Sequence, residues 1–183
     1  MIMNKKTSLL WPEVICWLMA LTGLFYILRS MLIYGQTMLC HDNFVGVYPA
    51  FLFFTENILN YNFPLWNPFT HAGEPFFPIL FMQRLLDPDI TLTIFIGHFF
   101  TNDSIILFNW TMVIQNLIML LGMYLFLRPY AVNIFVRLSL IPILVFSSFT
   151  FILFRQPLPM YEFKWIPFIA YFLLRITFYK DYR

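Results

Sequence analysis

The chain has 183 residues, of which 61% are hydrophobic, 21% aromatic and only 11% charged, and its formal net charge is +2. A water-soluble domain carries about 25% charged residues, so this composition leaves too few charges to coat a water-facing surface and points to an integral membrane protein. A net charge this small carries no signal for nucleic acid as a partner.

The chain opens with Lys5 and Lys6 and then a long apolar run, Leu9 to Tyr34. A cleavable signal has an apolar core of about 7–15 residues followed by small residues. This run is longer and is expected to be an uncleaved first span. Cys16 lies inside it and Cys40 beyond its end. As one helix, the separation of 24 positions covers about 36 Å at about 1.5 Å per residue, which excludes a disulfide.

Three more segments approach the roughly 20 residues that a crossing requires. They are Ser104–Leu127, Ile134–Phe154 and Phe163–Phe178, the last being the shortest, with Lys164, Pro167 and Arg175 near its ends. Lys and Arg accumulate on the cytoplasmic side of membrane proteins. With both termini in the cytoplasm, that side receives Lys5, Lys6, Arg128, Arg137, Arg175, Lys180 and Arg183. The other side keeps Arg84, Arg155 and Lys164, with Arg29 near the outer end of span one. The expected architecture is therefore all-α: a multi-pass cell-membrane protein of four spans forming one module, with residues 35–103 as a large extracytoplasmic loop. Within it, "ITLTIFIGHFF" (Ile90–Phe100) is too short to cross and is expected to be an interfacial or re-entrant helix.

Six of the nine acidic residues fall in that loop: Asp42, Glu56, Glu74, Asp87, Asp89 and Asp103. The stretch from Phe44 to Leu59 suits a helix in the headgroup layer, with Asp42 or Asn43 as N-cap and Pro49 starting or breaking it. "NYNFPLWNPFTHAGEPF" (Asn60–Phe76) is a turn-rich hairpin rather than a helix. Pro64, Pro68 and Pro75 each lack a backbone donor, Gly73 permits a positive φ, and Trp66 is an interfacial anchor. "FFPILFMQRLLDPDI" follows as a short apolar helix ended by Asp87-Pro88-Asp89.

Asp42, the Tyr48-Pro49 pair, "PLWNP" (Pro64–Pro68) and Gly73-x-Pro75, taken in that order, resemble the first extracytoplasmic loop of YfhO-like bacterial membrane proteins of the GT-C glycosyltransferase class. "FKWIPFIAYFLLR" (Phe163–Arg175) is similar to that family's entry into its fourth span. Family chains are several times longer, so the resemblance implies an N-terminal portion, completed by a downstream polypeptide. It implies transfer of a sugar from a polyprenyl-phosphate donor to a cell-envelope acceptor, with membrane lipid and the lipid-linked sugar as partners. His41-Asp42-Asn43 has one acid, not a paired D-x-D.

For such a reaction one carboxylate acts as base on the acceptor hydroxyl, and the departing phosphate takes cationic or amide donors. Asp42 is the catalytic candidate, weighed against a plain N-cap. Arg84, alone among Lys and Arg between Gly35 and Asp103, is the phosphate contact. Trp66, Asn67, His71 and Glu74 form the wall of the site, with Arg29 expected to snorkel to the interface. Asp87 and Asp89 are weak ligands for a divalent cation, less favoured than a helix-stop turn. His41 and His71 read as surface groups sooner than as metal ligands. Asn109 and Asn116 are expected to hold helices together. The rival reading is a non-catalytic scaffold or a component that moves lipid-linked glycans.

Overall fold

A computed structural model describes residues 10–36, 46–69, 73–131, 133–147 and 164–179. Within them the chain is mostly helical. The elements are α1 (Leu10–Tyr34), α2 (Tyr48–Leu59), β1 (Trp66–Asn67), β2 (Glu74–Pro75), α3 (Phe77–Met82), α4 (Pro88–His98), α5 (Ser104–Leu127), a 3-10 turn (Arg128–Tyr130), α6 (Ile134–Val145) and α7 (Ile166–Tyr179). Two helical stretches, Trp11–Tyr34 and Ser104–Tyr130, are long and apolar enough to cross a membrane. The helix expected over 134–154 ends earlier: α6 has 12 residues with Pro142 inside it and Phe146 as its C-cap, and residues 148–154 lie outside the described residues.

α5 is the central helix and packs against α1, α2, α4, α6 and α7. Its N-terminus is set by Asp103, whose Oδ1 accepts from the backbone N–H of Ile105 at 2.8 Å and of Ile106 at 3.4 Å. Such a cap contributes about 1 kcal/mol.

α1 lies antiparallel to α5. A helix C-terminus leaves carbonyls without intrahelical partners. At the end of α1, the Asn109 side-chain amide donates to the Met31 carbonyl and the Trp110 indole N–H to the Leu32 carbonyl, each at 2.9 Å. Asn109 thus ties two helices, as the sequence suggests. Asn116 does not; its amide donates to Met112 of its own helix at 3.3 Å. α6 runs parallel to α1, where the Cys16 thiol donates to the Leu138 carbonyl at 3.4 Å.

Two apolar cores flank α5. One joins α1 and α6 to it through Leu24, Leu28, Leu120, Ile141 and Val145. The other is built from the loop side, by Phe51, Phe54, Phe76, Leu80, Leu85, Ile90 and Ile94 against Leu107, Phe108 and Met112. Here Phe51 meets Phe108 edge to face at 5.2 Å, a favoured aromatic geometry.

α2 begins at Tyr48 with Pro49 in its first turn, and the preceding Val47 makes no side-chain cap bond; Asp42 and Asn43, the expected N-caps, lie outside the described residues. One local expectation is corrected. The apolar helix after the hairpin ends at Met82, not at Asp87-Pro88-Asp89. A turn through Arg84, at φ +54, follows it. Asp87 is then the N-cap of α4, with Pro88 in its first turn. The D-P-D sequence starts a helix; it does not stop one.

α4 turns back along α5. Gly97 lies so close to Leu107 that an added Cβ would sit 2.5 Å from its Cδ2. Asp89 is eight residues before Gly97 and Gln115 eight after Leu107. At about 1.5 Å per residue, the antiparallel pair puts Asp89 level with Gln115, roughly 17 Å along α5 from its start. Further along, a Cβ on Gly122 would meet the Phe168 ring at 2.7 Å and Pro167 at 3.1 Å. α7 therefore runs in the same direction as α5. The expected interfacial or re-entrant helix is α4, folded against the first half of α5.

Candidate functional site

The polar residues of the loop side converge where α3 ends, α4 begins and α7 is entered. The Lys164 ammonium donates to Asp89 Oδ1 at 2.8 Å and Oδ2 at 2.7 Å and lies 2.9 Å from Asp87 Oδ2. The lysine side chain is fully buried, while Asp87 and Asp89 keep 18% and 9% exposure. Stripping water from one charge costs several kcal/mol; two carboxylates and the Trp165 ring, 5.6 Å away, take its place. Because Asp87 and Asp89 flank Pro88 at the first turn of α4, their separation is fixed by the backbone. The cation they hold here is Lys164.

Beside this cluster is an open cleft of about 420 Å³ lined by Leu80, Phe81, Arg84, Leu86 and Asp87. Arg84 is exposed, and its side chain makes no hydrogen bond or ion pair among the described residues. Its left-handed backbone is unusual for a non-glycine residue. The amide of Asp87 donates to the Arg84 carbonyl at 2.9 Å and that of Leu85 to Leu80 at 3.0 Å. The tight turn fixes where the guanidinium leaves the chain.

The hairpin forms as the sequence indicates: Trp66 pairs with Pro75 and Asn67 with Glu74, antiparallel. Asn67 is buried, and its side-chain oxygen accepts from Phe69 N at 3.0 Å. This fills an Asx-turn role. Trp66 is half exposed and Glu74 half buried. Phe76, at the end of the hairpin, packs on Phe53 with ring centres 4.8 Å apart. Arg84 and Asp87 therefore share one cleft, while Trp66, Asn67 and Glu74 share one hairpin. Asp42, His41 and His71 lie outside the described residues. Arg29, expected at an interface, stacks its guanidinium over Tyr26 at 4.3 Å. Burial, and then the carboxylates of Asp103 and Glu56, raise the Tyr48 phenol above its ordinary value; it remains a protonated donor at neutral pH.

A second buried ion cluster lies at the opposite end of α5. Glu13 accepts from the Tyr124 hydroxyl at 2.7 Å, pairs with Arg128 Nε at 3.0 Å and with Arg137 at 3.1 Å. Sequence reasoning missed it, although an acid inside a long apolar run is costly enough to demand partners. It also missed Lys164 as a buried residue, and Gln115, which is fully buried with neither side-chain polar atom hydrogen-bonded. Among the described residues no group of three or more His, Cys, Asp or Glu is placed to hold a metal ion.

Comparison of the chain with protein-family models, with curated proteins and with solved structures returns no match in any of the three.

Proposed function

We propose that the chain is a multi-pass membrane protein with four spans and cytoplasmic termini, and that it handles a lipid-linked, phosphate-bearing sugar in the manner of a GT-C-like glycosyltransferase or the N-terminal part of one. The observation that carries this reading is Arg84. It is an exposed guanidinium on a tight turn, without an ion pair among the described residues, and it lines a cleft whose apolar walls are Leu80, Phe81 and Leu86. A guanidinium binds phosphate with two parallel hydrogen bonds, and the walls suit the first carbons of a lipid tail.

The membrane part of the reading is supported by the surface. α1 exposes Trp11, Leu18, Met19 and Phe25, and α7 exposes Ile169, Phe172, Leu173 and Ile176. An apolar surface this extensive needs a non-aqueous neighbour. A charged group in the depth of a bilayer faces a bundle interior or a water-filled recess and marks function by default. The α4 start, level with the middle of α5, would form such a recess, open toward the loop side. Asp42 remains the proposed base and Asp87 with Asp89 the weaker metal option.

The test is sugar transfer by membranes containing the complete protein, supplied with a polyprenyl-phosphate sugar. Arg84→Ala should cut transfer at least tenfold and Asp42→Asn should abolish it, with expression intact. Unchanged transfer in both variants overturns the reading. A non-catalytic role has one specific observation in its favour: Lys164 engages both Asp87 and Asp89, so neither is free to act as a base. In that case no transfer is detected, and both variants still insert normally.

A further inference from the structure

The charges around the cleft do not cancel pairwise. Asp87, Asp89 and Lys164 form a cluster with one negative charge in excess, and the lysine is wholly buried within it. Arg84, three residues before Asp87, is an exposed cation without an ion pair among the described residues. The two have not joined: Asp87 pairs with Lys164, and Arg84 lines the same cleft. A poorly solvated excess charge draws a counter-charge. The cleft thus offers a cation and an excess anion side by side, above apolar walls.

We propose that this cleft takes a zwitterionic phospholipid headgroup, a phosphate with a primary ammonium group a few bonds away, as in a phosphatidylethanolamine. The inference rests on the reading of Arg84 as a phosphate contact and adds a second specificity. Arg84 takes the phosphate and Asp87 the ammonium, while Leu80, Phe81 and Leu86 hold the glycerol and upper acyl carbons. An anionic lipid without an amine satisfies Arg84 but leaves the Asp87 excess uncompensated. A quaternary amine has no N–H to donate. The primary ammonium alone completes both halves, with charge-assisted hydrogen bonds at each.

The experiment uses the full chain purified in detergent and short-chain phosphatidylethanolamine, phosphatidylglycerol and phosphatidylcholine as probes, with affinities read by native mass spectrometry. The ethanolamine lipid should bind about tenfold more tightly than the glycerol lipid, the size of one charge-assisted hydrogen bond. Asp87→Asn should bring that ratio close to one. Asp89→Asn should do the same by removing the excess charge while leaving Lys164 paired with Asp87, so a folding defect in the first variant does not decide the outcome. Arg84→Ala should weaken both lipids. If wild-type protein binds the glycerol lipid as well as the ethanolamine lipid while Arg84→Ala weakens both, the ammonium half is overturned and the phosphate contact stands. If Arg84→Ala weakens neither, the phosphate contact fails and the inference with it. Equal binding of free phosphoethanolamine and the lipid overturns a membrane occupant.

Discussion

The Lys164 ammonium sits 2.7 and 2.8 Å from the two oxygens of Asp89 across 75 positions of sequence, and no part of the lysine side chain is exposed. The contact joins the entry to α7 to the first turn of α4. Lys164→Ala leaves two carboxylates facing each other at a mostly buried site. Breaking a buried pair costs about 3–5 kcal/mol, so the variant should lose α7 protection in limited proteolysis and unfold at lower temperature in detergent. Lys164→Met combined with Asp87→Asn and Asp89→Asn removes all three charges and should recover most of the loss. A single variant as stable as wild type would show that the clasp contributes nothing.

Glu13 anchors the other end of the bundle. Its carboxylate serves Tyr124, Arg128 and Arg137, which come from α5, the 3-10 turn and α6. The two arginines are 35% and 22% exposed, so water screens part of what is lost on removal. Glu13→Ala should cost about 2–3 kcal/mol after that discount, and Tyr124→Phe about 1–2 kcal/mol for one charge-assisted bond. The ordering, Glu13→Ala more harmful than Tyr124→Phe, is checked by unfolding midpoints in one detergent.

Much of the scaffold was legible before any coordinates. The bounds Ser104–Leu127 follow from the length of the apolar run; the cap by Asp103 is a finding of the structure. The hairpin around Trp66 and Glu74 was legible because three prolines and Gly73 exclude a helix. The reading failed where long-range pairing overrides local pattern. Asp87-Pro88-Asp89 looks alike as a stop or a start, and only Lys164, far along the chain, decides its role. Lys164 itself read as a flanking charge of a short span, since nothing in its neighbourhood reveals two carboxylates 75 and 77 positions earlier. The candidate site is legible in part: Arg84 stands out as the lone Lys or Arg between Gly35 and Asp103, but its place beside Asp87 in one cleft depends on the turn at φ +54.

Gly122 is the point where α5 and α7 approach most tightly of the described glycine contacts between them. A side chain there meets the Phe168 ring and Pro167 within 3.1 Å, and the proline cannot move independently of its backbone. Gly122→Val should cost about 1–3 kcal/mol by overpacking and push α7 outward. A cysteine pair placed at Leu125 and Tyr171, each three residues beyond the Gly122–Phe168 contact and so level with one another in a parallel pair, should cross-link less in the Gly122→Val background. Equal cross-linking would mean that α7 does not rest on α5 there.

Gln115 is wholly buried, and neither side-chain polar atom has a hydrogen-bond partner among the described residues. An unsatisfied buried polar group costs about 1–3 kcal/mol. Gln115→Leu, close in volume, should therefore raise the unfolding midpoint of the isolated chain. If the purified protein instead loses stability, the amide is engaged by a group bound in the recess near Asp89, and lipid removal should abolish the difference between variant and wild type.

The orientation of the bundle governs all of these effects in the cell. Tyr61, in the turn after α2, is 95% exposed, and Phe135, at the start of α6, is 74% exposed. They lie toward opposite ends of α5: α2 packs by the N-terminal half of that helix through Phe108, and α6 begins three residues after the 3-10 turn that follows its C-terminus. With Cys16 and Cys40 replaced by serine, Tyr61→Cys should react with a membrane-impermeant maleimide on intact cells. On the proposed orientation, in which the positive-inside bias puts Lys5, Lys6, Arg128 and Arg137 in the cytoplasm, Phe135→Cys should react only after permeabilisation. The reverse pattern would place the Arg84 cleft in the cytoplasmic half of the bundle, where an extracytoplasmic lipid-linked donor cannot reach it. Labelling of both thiols on intact cells would deny that α5 crosses the membrane at all.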